Sequence, residues 1–315
     1  MAKAKRVKGI NCNSVASIGI KLVLITRFEE LYGFQEIALD WSDPEGVHSM
    51  RVASRRLRSA LRDFLPYVRK RGLTSVQKRL RNIAGALGEV RDHDVAILAL
   101  EELEKKAPAN VLPTLKQFLE MRKERREQAR EALKAVLDKT QLDQLQSDFV
   151  TAVDGATDGA KMVSKLQITY LQMSRAVIAD RLKELEKLSA DVYKPFEIEK
   201  LHDMRIAAKR LRYAVELFQW CWGRSIGMYA KRAARMQTAL GDLHDCDVWI
   251  ESFGEAIDEA RKQKQEAQIA AFVWLLGHFV KLRTKHIRRT FAEWTKWEAQ
   301  DLSGKLRESL RNKRS

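Results

Sequence analysis

The sequence predicts an all-α protein made of two similar halves, and three observations carry that prediction. Helix-forming residues fill the 315-residue chain, with only five prolines and fifteen glycines to interrupt them. The segment 47–64, VHSMRVASRRLRSALRDF, returns at 201–218 as LHDMRIAAKRLRYAVELF, 154 residues later. A second echo, LGEVRDHDV at 87–95 and LGDLHDCDV at 240–248, follows in the same order. Two echoes in one order mark an internal duplication.

The elements follow from periodicity and punctuation. Residues 1–14 are basic and read as a loose N-terminus. A helix is predicted from 15 to 33, with Ile18, Leu22, Ile25 and Leu31 on its buried side. Asp43 and Pro44 supply a cap and a first turn, opening the first copy of the repeated helix at 45–65. Pro66 stops it. Separate helices are expected at 74–90, from Asp92 to 106, and at 114–137. Asp154-Gly-Ala-Thr-Asp-Gly159 reads as a linker. The second half repeats the order, with helices at 161–188, after Pro195, at 227–243, 246–265 and 268–297. The expected division is 15–155 for the first helical bundle, 156–300 for the second and 301–315 for a basic tail.

Composition bounds the function. The net charge is +16 and the pI about 9.8, so the natural partners are polyanions. Between 47 and 91 twelve Lys and Arg stand against two acids, an excess of ten. Three cysteines, Cys12, Cys221 and Cys246, make no even disulfide framework and no CxxC pair, which favours a reducing compartment. The apolar run Val15–Ile25 is too short to span a bilayer and lacks a small-residue cleavage site. A soluble cytoplasmic protein is expected.

On a helical wheel the first repeated helix separates into two sides. Met50, Ala53, Leu57, Ala60, Leu61 and Phe64 form the apolar one. His48, Arg51, Arg55, Arg58 and Arg62 form a stripe about 80° wide. The second copy sets Met204, Ala207, Leu211, Ala214, Val215 and Phe218 opposite His202, Arg205, Lys209 and Arg212, with Glu216 ending the stripe sooner. Like charges at i,i+3 and i,i+4 repel by a few tenths of a kcal/mol per pair. A helix built only for solubility would intersperse acids, so the stripe needs acids from other helices or an external polyanion. His278, Lys281, Lys285 and Arg288 repeat the same spacing, and Lys123, Arg126 and Arg130 share its first steps.

The second echo is rich in potential metal ligands, Asp92, His93 and Asp94 or His244, Asp245, Cys246 and Asp247. Neighbours on a helix diverge, however, and seldom converge on one ion. An architectural role is expected instead: Leu-Gly for close packing or a helix break, and aspartates for capping or pairing with arginine. His202-Asp203 and His244-Asp245 also suggest a metal phosphohydrolase of the HD type. Neither dyad survives in the first half, which reads His48-Ser49 and Arg91-Asp92. No phosphate-loop motif and no nucleophile signature is present.

The doubled pattern His-x-Met-Arg-[Val/Ile]-Ala-x-[Arg/Lys]-Arg-Leu-Arg-x-Ala, followed each time by Leu-Gly-x-x-x-Asp-x-Asp-Val, resembles the CHAD family, the conserved histidine α-helical domains. The resemblance implies two four-helix bundles related by a pseudo-twofold axis and a basic central surface that binds inorganic polyphosphate. It implies no catalytic activity of the domain itself; no cofactor and no metal are expected. The family's basic positions fall on His48, Arg51, Arg55, Arg56 and Arg58, and on His202, Arg205, Lys209, Arg210 and Arg212. Arg126, Arg235, Lys281 and Lys285 complete the candidate set. Arg56 and Arg210 lie off the stripe and are expected to pair with Asp92 and Asp245. The family's Leu-Gly-x-x-Arg-Asp form stands at Arg91-Asp92 but reads His244-Asp245 in the second half.

The reading is therefore a non-catalytic polyphosphate-binding module, with polyphosphate granules or polyphosphate-metabolising enzymes as further partners and no membrane. The alternative is a nucleic-acid-binding helical protein. Against it, Trp220, Trp222, Trp249 and Trp274 read as core, and no aromatic interleaves with His48–Arg58.

Overall fold

A computed structural model describes residues 4–158 and 168–312, and the described chain is helical almost throughout. Its contacts divide it into two compact units. The first holds Met1–Lys105 and Phe118–Met173, the second Lys106–Gln117 and Ser174–Ser315. The division therefore differs from a cut at 155. The stretch 106–117 packs with the second unit, and the chain stays with the first unit as far as Met173.

In the first unit, α1 (Ala16–Tyr32) leads through the short α2 (Gln35–Ala38) to α3 (Pro44–Phe64). Asp43 caps α3, its side chain accepting from the Glu45 amide at 2.9 Å. After a 3-10 turn at Leu65–Tyr67 and Gly72 at φ +88°, the chain reverses into α4 (Leu73–Glu104). Then come α5 (Leu112–Val136) and α6 (Lys139–Thr157), the latter capped by Asp138. α1 packs on α3 and α6, and α4 on α3 and α6. The core of α1 is Ile20, Val23, Leu24, Phe28 and Leu31, whereas Ile18 is 55% exposed and Leu22 and Ile25 are partly so. The wheel thus had the buried face rotated. The cause is α6, whose Leu142, Leu145, Phe149, Val153 and Ala156 complete the core, with Phe149 stacked on Phe28 at 4.6 Å between centroids. The expected linker from Asp154 is helical as far as Thr157, and Gly159 lies outside the described residues.

The second unit takes up the chain at Ser174 within α7 (Tyr170–Glu186), and a 3-10 turn at Ser189–Tyr193 then precedes α8 (Ile198–Trp222). The predicted start of α7, residues 161–167, lies outside the described residues. A 3-10 turn at Arg224–Ile226 leads to α9 (Gly227–Lys262), α10 (Glu266–Ala299) and α11 (Leu302–Asn312). α9 packs on both α8 and α10. Leu302, Leu306 and Leu310 of α11 are buried, so the expected tail is an amphipathic helix docked on α10.

Further expectations fail. The pairs 74–90/92–106 and 227–243/246–265 are single helices, α4 and α9, running straight through both Leu-Gly-Asp echoes. Gly88 neither breaks its helix nor meets a close neighbour, since a Cβ there would find open space. Gly19 is the glycine that permits close approach: a Cβ there would fall 2.3 Å from the Tyr170 ring. Cys246 is a free, buried thiol, while Cys12 and Cys221 are disulfide-bonded, so the odd cysteine count loses its force as a sign of a reducing compartment. Trp220 is 59% exposed rather than core. No helix among the described residues is long and apolar enough to cross a membrane.

Candidate functional site

In the first unit the amphipathic division of α3 holds. Met50, Ala53, Leu57, Ala60, Leu61 and Phe64 are buried. His48, Arg51 and Arg55 are partly exposed and Arg58 is exposed. α4 lies antiparallel beside this stripe, as its partners show. Arg91 acts on His48 at one end and Arg81 acts on Arg58 at the other. Arg51 meets Asp92 at 3.2 Å, and Asp92 is largely exposed. Gly88 lies on the α4 stretch between Arg81 and Arg91 and adds no bulk there.

The charges are crowded enough to disfavour one another. Partial burial, then Arg91, pushes the His48 imidazole below its ordinary range; Glu45 opposes and Arg55 adds to it. Partial burial, then Arg81, also holds the Arg58 guanidinium below the usual arginine value. Arg81 and Arg91 share the ten-residue spacing of His48 and Arg58, a signal the sequence carried on α4.

Other members of the predicted set lie elsewhere. Arg56 turns inward and pairs with buried Glu30 at 2.7 Å, alongside Arg27 at 2.6 Å. It does not pair with Asp92, which engages Arg51. Arg62 folds back onto Asp63 and Ser59. Arg126 on α5 binds Glu127 at 3.0 Å and approaches Asp94 at 3.8 Å. Close to it, His93 is held below its ordinary range by burial, then by Arg122, and also by Arg125.

In the second unit α8 repeats the division. Met204, Ala207, Leu211, Ala214, Val215 and Phe218 are buried, while His202, Arg205, Lys209 and Arg212 are partly exposed. α9 runs antiparallel beside them. Arg205 lies along Gly241, its Nε 3.5 Å from where a Cβ would stand. His244 sets its Nδ1 3.4 Å from the Nδ1 of His202, with ring centroids 4.4 Å apart. Both imidazoles are pushed down, His202 by burial and then Arg205, and His244 by burial, then His202 and Arg205. Arg212 gives its charge to Glu216 at 2.7 Å and also reaches Gln237, so the stripe fades at that end. Arg210 pairs with Glu184 at 3.4 Å, and Glu184 also binds Arg181. The expected partner Asp245 is therefore replaced by Glu184. Arg235 on α9 and Lys281 and Lys285 on α10 are exposed. Lys106 and Lys281 both act on the partly buried His278.

The aspartates of the second echo cap nothing, because they lie in mid-helix. Several pair with arginines: Asp92 with Arg51, and Asp247 with Arg283 at 2.5 Å. Among the described residues no three His, Cys, Asp or Glu side chains gather as a metal site.

Three comparisons bear on this arrangement. The family model of the CHAD domain matches residues 23–254. A crystal structure of the CHAD domain from the plant Ricinus communis superposes with a TM-score of 0.71 at 23% identity, covering 92% of this chain and 95% of that one. PptA from Streptomyces chartreusis superposes with a TM-score of 0.66 at 14% identity, covering 90% of this chain and 100% of that one. No curated protein matches. The match runs through both copies of the histidine-bearing helix and both Leu-Gly-Asp echoes, and the chain belongs to the CHAD-domain family.

Proposed function

We propose that this chain is a binding module for inorganic polyphosphate, and not an enzyme. It would act in the cytoplasm, free or on polyphosphate granules. The ligand is a flexible chain carrying about one negative charge per phosphate. The observation that carries the reading is the crowding of like charge on α3 and α4. His48, Arg51, Arg55, Arg58, Arg81 and Arg91 share one surface, where Asp92 pairs with Arg51 and Glu45 acts on His48. A structural helix pair would remove such repulsion, whereas a polyanion relieves it on binding. Guanidinium groups suit this ligand because they donate two parallel hydrogen bonds to phosphate oxygens. The second unit offers a shorter version in His202, Arg205, Lys209 and His244. Arg56 and Arg210 serve behind the stripes, through Glu30 and Glu184.

The test is calorimetric titration of the full chain with long-chain polyphosphate at near-physiological salt, with duplex DNA at matched phosphate concentration as competitor. Tight binding that DNA does not displace is expected. Equal or stronger binding to DNA would make the stripes a general polyanion surface. The Arg51→Glu/Arg55→Glu double variant should lose at least tenfold in affinity, since one charge-assisted hydrogen bond contributes about 1.5–3 kcal/mol. Unchanged affinity in that variant would place the ligand elsewhere.

A further inference from the structure

The two units differ at one point of their stripes. Beside His48 stands Arg91, which is permanently charged. Beside His202 stands His244, with the two Nδ1 atoms 3.4 Å apart. A pair of neutral imidazoles at this distance can share a proton through an Nδ1–H···Nδ1 bridge once one of them is charged.

The surroundings decide when that happens. From α8 the pair feels Arg205, Lys209 and Asp203. From α9 it feels Asp247, which Arg283 of α10 holds at 2.5 Å and largely neutralises. The turn at Ser189–Tyr193 also packs on α8, and its Asp191 is engaged by Lys194 at 2.9 Å. The turn at Arg224–Ile226 lies at the opposite end of α8. Partial burial acts first on both imidazoles, Arg205 adds to it on both and Lys209 on His202, so both are pushed toward the neutral form.

We propose that the His202–His244 pair makes ligand binding by the second unit proton-coupled, taking up about one proton, shared between the two Nδ1 atoms, as a polyphosphate segment settles on the stripe. This rests on the reading of the preceding subsection. Phosphate oxygens reverse the local field, so the imidazolium disfavoured in the free protein is favoured in the complex. Binding that takes up a proton strengthens as pH falls, by about tenfold per pH unit for each proton. In the first unit Arg91 already supplies fixed charge, so only the proton of His48 is available there.

The experiment is calorimetry of the full chain with long-chain polyphosphate, between about pH 6 and 8, in two buffers of different ionisation enthalpy, which counts protons taken up. The wild type is compared with His244→Arg, His244→Gln and the reciprocal Arg91→His, each first checked for an unchanged helical spectrum. His244→Arg and His244→Gln should each take up less than the wild type and show a flatter pH dependence, because a lone His202 has no second Nδ1 with which to share the proton beside Arg205 and Lys209. Arg91→His should gain uptake. Binding with undiminished uptake in both His244 variants would overturn the inference while leaving the polyphosphate reading intact. Absence of binding by the wild type at every pH would sink the reading and this inference with it.

Discussion

Glu30 shows how a single side chain can set the placement of a whole row of charge. It is 5% exposed and bridges Arg27 on its own helix and Arg56 on α3. Removing a buried acid from two arginines leaves both uncompensated, which costs about 3–5 kcal/mol. Glu30→Ala should therefore lower the urea midpoint strongly. Glu184→Ala, at 33% exposure in the corresponding place between Arg181 and Arg210, should cost far less. Arg27, Glu30 and Arg56 lie 154 residues before Arg181, Glu184 and Arg210. That third echo stood in the sequence as Arg-x-x-Glu-Leu at 27–31 and 181–185, too short to notice without the ion pairs. It explains why Arg56 and Arg210 do not pair with the echo aspartates: each meets a glutamate one helix away that is less exposed than Asp92 or Asp245. Gly88 makes the opposite case. Open space beside it predicts that Gly88→Ala stabilises the chain by about 0.5–1 kcal/mol through helix propensity, measurable as a raised thermal midpoint.

At the scale of elements, α11 is the sharpest departure from the sequence reading. Its high charge suggested a tail, yet Leu302, Leu306 and Leu310 recur on one face and are buried. Leu306→Ala should cost about 2–5 kcal/mol, the range for a fully buried leucine, read from denaturant unfolding. A surface tail would show no change. The repeated helices were legible because their apolar and cationic sides are both long and pure. α6 was not, because Asp-Gly-Ala-Thr outweighed the spacing of Leu142, Leu145, Phe149 and Val153. α4 and α9 were cut in two because Leu-Gly-x-x-x-Asp imitates a stop and a cap. Neither glycine takes a positive φ, and the flanking leucines are buried on the same face as their neighbours. The stripe residues were legible as candidates, but their partners Arg81, Arg91 and His244 required knowing which helix lies beside which.

The whole molecule carries its charge excess as a pH-dependent liability. His48, His93, His202, His244 and His278 are all pushed below their ordinary value of 6.5. Below that value the unfolded chain binds protons that the folded chain refuses. Stability should hold above pH 6.5 and fall as the medium is acidified through and below it. Thermal melts between about pH 7.5 and 5 would register this as a falling midpoint, and a flat profile would contradict the crowding described for the stripes. Polyphosphate binding should weaken steeply with salt, because each neutralised phosphate releases a counterion. A shallow dependence would point to a ligand held by shape rather than charge.

The antiparallel facing of Arg58 with Arg81 and of His48 with Arg91 has a consequence for the life of the protein. Cations crowded in this way repel one another, and on the polyphosphate reading the anion that relieves the repulsion would act as a missing piece of the fold. A ligand present at a hundred times its dissociation constant adds about 2.7 kcal/mol to stability. Copies without ligand are then the ones that open and meet proteases. On the polyphosphate reading, the amount of this protein in a cell would rise and fall with the supply of that anion, with no change in its synthesis.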